Sequence, residues 1–155
     1  MSELPSDVPL PHGGELPPTV QYADVAVGDA LPELDIPVTR TLIVGGAIAS
    51  RDYQDVHHDA ELAKEKGSPD IFMNILTTNG LVGRFVTDWA GPNAFIKKVS
   101  IRLGVPNYPG DTMRITGEVS AKHDDGVVEV KLVGANKLGN HVTGTVLVKL
   151  PGGGS

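Results

Sequence analysis

At Gly91-Pro92 the hydrophobic period of this chain changes from helical to two for the rest of its length, and that change restricts what it can fold into. Upstream, Ile71, Phe72, Ile75, Leu76, Val82, Phe85 and Val86 recur at three- and four-residue spacing. That spacing is one apolar helix face and predicts a long helix starting at Asp70 and stopping near Gly91-Pro92. Downstream, AFIKKVSIRLGV, DTMRITGEVSAKH, GVVEVKLVGANK and HVTGTVLVKL are four runs with period two, rich in Val, Ile and Thr. NYPG, DDG and LGN between them supply the residues tight turns need. A one-sided helix and one-sided strands bury their apolar surfaces most simply against each other. The expected architecture is α+β, an antiparallel meander curled around one long helix.

Before the helix, ELDIPVT alternates as a strand over 34–39, and Thr39 or Thr41 is placed to cap a short helix through LIVGGAIAS. Leu42, Ile43, Ala47 and Ile48 would form its core face. A polar loop follows, then a second short helix from Asp59 to Lys66. Residues 1–18 hold five prolines, which exclude a helix or a central strand because proline lacks the N–H donor. They read as an arm, disordered or laid on a partner. Residues 19–150 form the single domain that a chain of 155 residues accommodates, and PGGGS at 151–155 reads as a flexible tail.

A net charge of -6 argues against nucleic acid as the main partner, since such proteins present a basic face. It leaves room for an anionic ligand held by a few local lysines. With no cysteine, disulfides, thiolate metal sites and cysteine nucleophiles are absent. The first residues have no basic start and no apolar run, and no window approaches the roughly 18 apolar residues of a membrane helix. A cytoplasmic location without membrane contact is expected.

Chemistry concentrates between Asp52 and Asp59, where three aspartates flank the adjacent His57 and His58. An aspartate and a histidine five residues apart can converge on one water if the loop turns, one taking a proton while the other delivers one. Spacing alone equally describes a solvated helix connection. A metal site finds no support, because adjacent histidines diverge and no third ligand stands at a recognisable spacing. A serine triad finds none either, as no serine sits on a G-x-S-x-G turn.

The stretch ASRDYQDVHHDAELA (49–63) resembles the hydratase motif of MaoC-like (R)-specific enoyl-CoA hydratases, approximately small-G-D-x-N-P-[LIV]-H-x-D-x-x-x-A. Asp52, Val56, His57, Asp59 and Ala63 match it. IFMNILTTNGLVGRF stands where that family has its I-x-H-G-M-L helix start, and LGVPNYPGDTMRITGEV (103–119) is similar to its F-x-x-P-V-x-P-G-D-T-L-x-x-x-G-x-V strand pair. The three pieces occur in the family's order. Within the family, RDYQDVHHD, SPDIFMNILTTNGLVGRFVTDWAGP and IKKVSIRLGVP resemble the small MaoC-like subunits of actinobacterial steroid side-chain hydratases.

The resemblance implies a hotdog fold with Asp52 and His57 as the acid/base pair. It implies a thioester carbonyl resting on the main-chain N–H of Asn74, and no cofactor beyond the acyl-CoA substrate itself. That substrate would be a steroid enoyl-CoA with a three-carbon side chain. A larger MaoC-like chain carrying an OB-fold-type domain is implied as partner, in an α2β2 heterotetramer, with an aldolase reached through that chain. Departures from the general motif mark the ligand side. Gln54 and Asp55 replace Asn-Pro, Arg51 replaces the glycine before the aspartate, and Met73-Asn74 replace His-Gly. Gln54, Asp55, Met73 and Tyr108 are therefore candidate substrate contacts. Arg102, with Lys97, Lys98 and Arg84, is a candidate for the CoA phosphates. A thioesterase on the same fold, or a non-catalytic scaffold for the larger chain, are the alternative functions.

Overall fold

The computed structural model describes residues 18–154; the predicted arm lies outside the described residues up to Pro17. Strand β1 is Leu34–Val38. Helix α1 is Arg40–Ala49, capped by Thr39, whose hydroxyl accepts the Leu42 N–H at 3.0 Å. Ile43 and Ala47 are buried, but Ile48 is 57% exposed, so the expected core face is narrower than the spacing suggested. Five residues on from Ile43, the side chain has rotated about 140° around the axis. Helix α2, Ala60–Glu65, starts where Asp59 accepts the Glu61 and Leu62 N–H groups at 3.0 and 3.1 Å.

The long helix α3 runs Ile75–Ala90, not from Asp70. The residues before it have committed their backbone elsewhere: Phe72 N–H donates to Val56 O (3.0 Å) and Met73 N–H to Asn107 O (3.1 Å). Over 71–73 the burial has period two, with Ile71 and Met73 inward, and Asn74 caps the helix by accepting Thr77 N–H at 2.9 Å. Ile71 and Phe72 stand four residues before Ile75 and Leu76, and this mimicked one more helical turn. Ile75 and Leu76, both 50% exposed, do not belong to the buried face either. That face is Thr78, Val82, Phe85, Val86 and Ala90. Gly91 ends the helix at φ 84°, a left-handed conformation in which a Cβ would also stand 2.7 Å from Pro18 O.

The four later strands are β2 (Phe95–Leu103), β3 (Asp111–Lys122), β4 (Val127–Asn136) and β5 (Gly139–Lys149). All pairings are antiparallel in the order β1-β3-β4-β5-β2, so only β3, β4 and β5 form the expected meander. β2 instead lies beyond β5. The connection 104–110, with Pro106 and Pro109, is no tight turn. Gly104 and Val105 N–H continue onto the β5 side through His141 O (2.7 Å) and Asn140 O (3.1 Å), while Gly110 N–H reaches Val38 O of β1 (2.8 Å). The loop thus crosses the end of the sheet, carrying Asn107 and Tyr108.

Inward positions Met113, Ile115, Val119, Val128, Val130, Leu132, Val142, Val146 and Val148 face α3 and form one core with it. Register shifts in β2, β3 and β4–β5 add the local twist that curls the sheet round the helix. Together these features are the α+β hotdog arrangement. At residues 151–154, Pro151 O accepts Tyr22 N–H at 2.9 Å. Among the described residues no helix is long and apolar enough to cross a membrane.

Candidate active site

The end of α1 and the start of α3 lie side by side, and the loop between α1 and α2 is folded onto them. Arg51 has φ 56°, the one non-glycine residue with positive φ among those described. It keeps the backbone for which the family motif uses glycine, at a cost of about 1–2 kcal/mol. That turn brings Asp52 back on α1, where its N–H donates to Ala47 O at 2.9 Å. Three residues later the chain enters a short 3-10 turn, Asp55–His57, which buries His57.

His57 Nδ1 lies 2.7 Å from Phe72 O, and its ring meets Phe72 edge-on at 5.0 Å. A carbonyl only accepts, so Nδ1 carries the proton and Nε2 of the neutral ring is bare. Nε2 faces Asp52 Oδ2 at 3.4 Å. Two acceptors cannot bond each other, and the distance exceeds that of a strong ion-paired bond. A water lying to the side of the pair, within reach of both atoms, would meet two acceptors there. The aspartate side chain keeps 20% of its surface and that of His57 8%, so Asp52 is the more exposed member of the pair.

Asn74, 1% exposed, links this pair to α3. Its Oδ1 is taken by Thr77 N–H, which turns Nδ2 toward Asp52 Oδ2 (3.0 Å) and Ser50 Oγ (2.9 Å). Ser50 in turn donates to Gly46 O at 2.7 Å. The main-chain N–H groups of Asn74, Ile75 and Leu76 find no acceptor among the described residues, so the start of α3 presents free donors and the positive end of its dipole beside Asp52. Asp52, His57 and Asn74 are thus brought together. Ser50, the Phe72 carbonyl and Asn107 complete the frame, and sequence reasoning missed all three; a lone serine, a main-chain carbonyl and a loop asparagine carry no pattern.

The remaining candidates are distributed differently. Gln54 lies beside the pair, its N–H pointing at Asp52 Oδ1 from 3.4 Å. Asp55 is bonded to Lys66 at 2.6 Å, and that ammonium holds its carboxyl below the usual carboxylate range, so it ties the loop to the end of α2. Tyr108 meets Phe72 edge-on at 6.3 Å, with its hydroxyl 3.5 Å from Ser68 Oγ. Met73 turns into the core at 2% exposure, its sulfur 3.8 Å from Asn107 Nδ2. Arg102 lies on the sheet face opposite α3, since Ile101 and Leu103 on either side pack toward the core; it shares a depression with Ser100, Lys131, Thr143 and Thr145. The structure therefore does not bring Met73's side chain or Arg102 to the surface beside Asp52.

One turn into α3, Thr78 Oγ1 lies 2.8 Å from Nε2 of His141, whose Nδ1 lies 2.7 Å from Val105 O. Burial pushes the His141 imidazole below its ordinary value of 6.5. The unfolded chain therefore binds a proton that the native state refuses, and stability falls as pH drops below 6.5 toward the folded-state value. The slope approaches about 1.4 kcal/mol per pH unit at most. Urea midpoints measured between pH 7.5 and 5.5 should fall more steeply for the wild type than for His141→Gln; equal slopes would refute the assignment.

Fold and site together define the class: the family described as "MaoC like domain" matches residues 25–140, and the chain belongs to it. Its relatives narrow the comparison. The 3-oxo-4,17-pregnadiene-20-carboxyl-CoA hydratase beta subunit of Mycobacterium tuberculosis is 58% identical over 120 residues, covering 77% of this chain and 92% of that protein. The crystal structure of the ChsH1-ChsH2 complex from the same organism contains a chain similar at TM-score 0.78 and 55% identity, over 81% of this chain and 98% of that one. The R-hydratase PhaJ1 of Pseudomonas aeruginosa, at TM-score 0.80 and 21% identity over 86% of each chain, shares the fold.

Proposed function

We propose that this chain is the catalytic subunit of a heteromeric enoyl-CoA hydratase, acting on a steroid enoyl-CoA with a three-carbon side chain. The observation that carries the reading is the pair of facing acceptors, Nε2 of His57 and Oδ2 of Asp52, 3.4 Å apart beside the free N–H groups of α3. The thioester carbonyl rests on the Asn74 N–H, which draws electron density from the β-carbon. Water held between Asp52 and His57 attacks that carbon, and the pair transfers one proton from water and one to the α-carbon. The two groups share these transfers as a coupled unit.

The substrate class rests on the relative that is 58% identical, named for a pregnadiene carboxyl-CoA. The similar chain crystallised in a two-protein complex supports a heteromer. β2, which pairs only with β5, leaves the other edge of a nine-residue strand without a neighbour among the described residues, an edge open to a second copy or a different chain alike. The partner is a larger MaoC-like chain with an OB-fold-type domain, in an α2β2 assembly, with an aldolase reached through that chain.

The test is hydration by the co-expressed pair of chains, read as loss of the conjugated enoyl-thioester absorbance, with short, long and steroidal enoyl-CoAs. Formation of a hydroxyacyl-CoA from the steroidal substrate is expected. Release of free CoA without that product would mean a thioesterase instead, and full activity of this chain alone on short substrates would mean an ordinary hydratase.

A further inference from the structure

Asn74 differs from the glycine of the general motif by a side chain, and every polar atom of that side chain is engaged. Oδ1 accepts Thr77 N–H at 2.9 Å, which leaves only the amide nitrogen to face the loop. Its two protons go to Asp52 Oδ2 at 3.0 Å and Ser50 Oγ at 2.9 Å. The serine proton points the other way, to Gly46 O at 2.7 Å, so Ser50 presents only lone pairs to Asn74. The direction of every bond in the chain is therefore determined. Asp52 otherwise has only a 3.4 Å approach from Gln54 N–H and the 3.4 Å gap to His57.

We infer that Ser50 and the Asn74 side chain are positioning residues that hold Asp52 Oδ2 toward His57, with Ser50 acting through Asn74. This deepens the hydratase reading and rests on it. The carboxylate must be held because its partner is already fixed. His57 is locked by Phe72, and a rotation of Asp52 about its own side-chain bonds would move Oδ2 away from Nε2 and end their shared reach to one water. A donor at Oδ2, itself pinned at both ends, removes that freedom. Anchoring of this kind acts on the reacting geometry, and a misplacement of about 1 Å can cost on the order of 100-fold in rate.

The assembled two-chain enzyme is assayed as Asn74→Ser, Ser50→Ala, Ser50→Thr, the Asn74→Ser/Ser50→Ala double variant and Asp52→Asn. Asn74→Ser keeps the main-chain N–H and a side-chain oxygen that can cap α3, but is too short to donate to Asp52. It should lower kcat about 10- to 100-fold with KM within about twofold and the melting temperature nearly unchanged. Ser50→Ala should lower kcat about 3- to 10-fold, and Ser50→Thr should recover most of that loss. Because Ser50 acts through Asn74, the double variant should be no slower than Asn74→Ser alone. Wild-type kcat in Asn74→Ser, a loss confined to KM, or losses that multiply in the double variant would each overturn the inference. If Asn74→Ser does not fold, Ser50→Ala and Ser50→Thr decide it by the same kcat comparison. Should Asp52→Asn abolish turnover while these variants do not change it, the inference fails and the hydratase reading stands; should Asp52→Asn stay active, the hydratase reading itself fails.

Discussion

Asp52→Asn and His57→Ala should each reduce hydration by roughly 100- to 10,000-fold in the assembled enzyme, the span expected for losing a positioned acid or base. Asparagine keeps the size of Asp52 and presents either an oxygen or an NH2 to the amide of Asn74, but it cannot accept a proton from water at neutral pH. Alanine at 57 removes the only ring nitrogen facing Asp52 and also frees the Phe72 carbonyl, which lies 2.7 Å from Nδ1. His58 cannot substitute, because its Nε2 is turned to Tyr53 O at 3.1 Å. The double variant should be little slower than the worse single variant if, as proposed, the two side chains act on one water as a unit. Single-turnover loss of enoyl-thioester absorbance reads this directly. Near wild-type rates in either single variant would remove that residue from the mechanism.

Phe85→Ala should destabilise the fold by about 3–5 kcal/mol, a large share of the roughly 5–15 kcal/mol that holds a domain of this size. Phe85 is 2% exposed at the centre of α3 and sits over Gly117 of β3, where an added Cβ would stand 3.0 Å from its ring. Gly117 pairs with Leu132, and Leu132 with Gly144, so two glycines flank one leucine in the row beneath the helix. The ring fills the space Gly117 leaves, and backbone ladders on either side prevent the sheet from collapsing into the void. Equilibrium urea unfolding should show a lower midpoint with an unchanged slope. A loss under about 1.5 kcal/mol would mean that the cavity closes and that Phe85 is not the plug.

Much of this fold could be read before any coordinates. Four period-two runs became four strands, the apolar spacing around Val82, Phe85 and Val86 became the helix they pack on, and Thr39 capped the helix expected to follow it. The errors fell where backbone groups find partners far along the chain. Ile71 and Phe72 kept a helical spacing, yet the N–H groups of Phe72 and Met73 are taken by Val56 and Asn107, so α3 starts late. β2 was expected beside β3, the next strand in sequence; its Pro-containing connection instead carries it to β5. At the site, Asp52 and His57 stood out because titratable residues cluster there, while Ser50 and the Phe72 carbonyl have no sequence signature.

By itself, the sequence determined the elements and the place of the chemistry, because side-chain period, caps and turn residues act over a few neighbours. It also carried the family pattern that singled out Asp52 and His57 within their cluster. Tertiary structure alone decided the strand order, the start of α3 and the bond network around Asp52. These depend on hydrogen bonds between residues far apart in sequence, such as the pairing of Leu34 with Ile115 and of Phe95 with Lys149, Met73 with Asn107, and Asn74 with Asp52. Such bonds are selected by which groups the closed core leaves without water, and no local pattern records that.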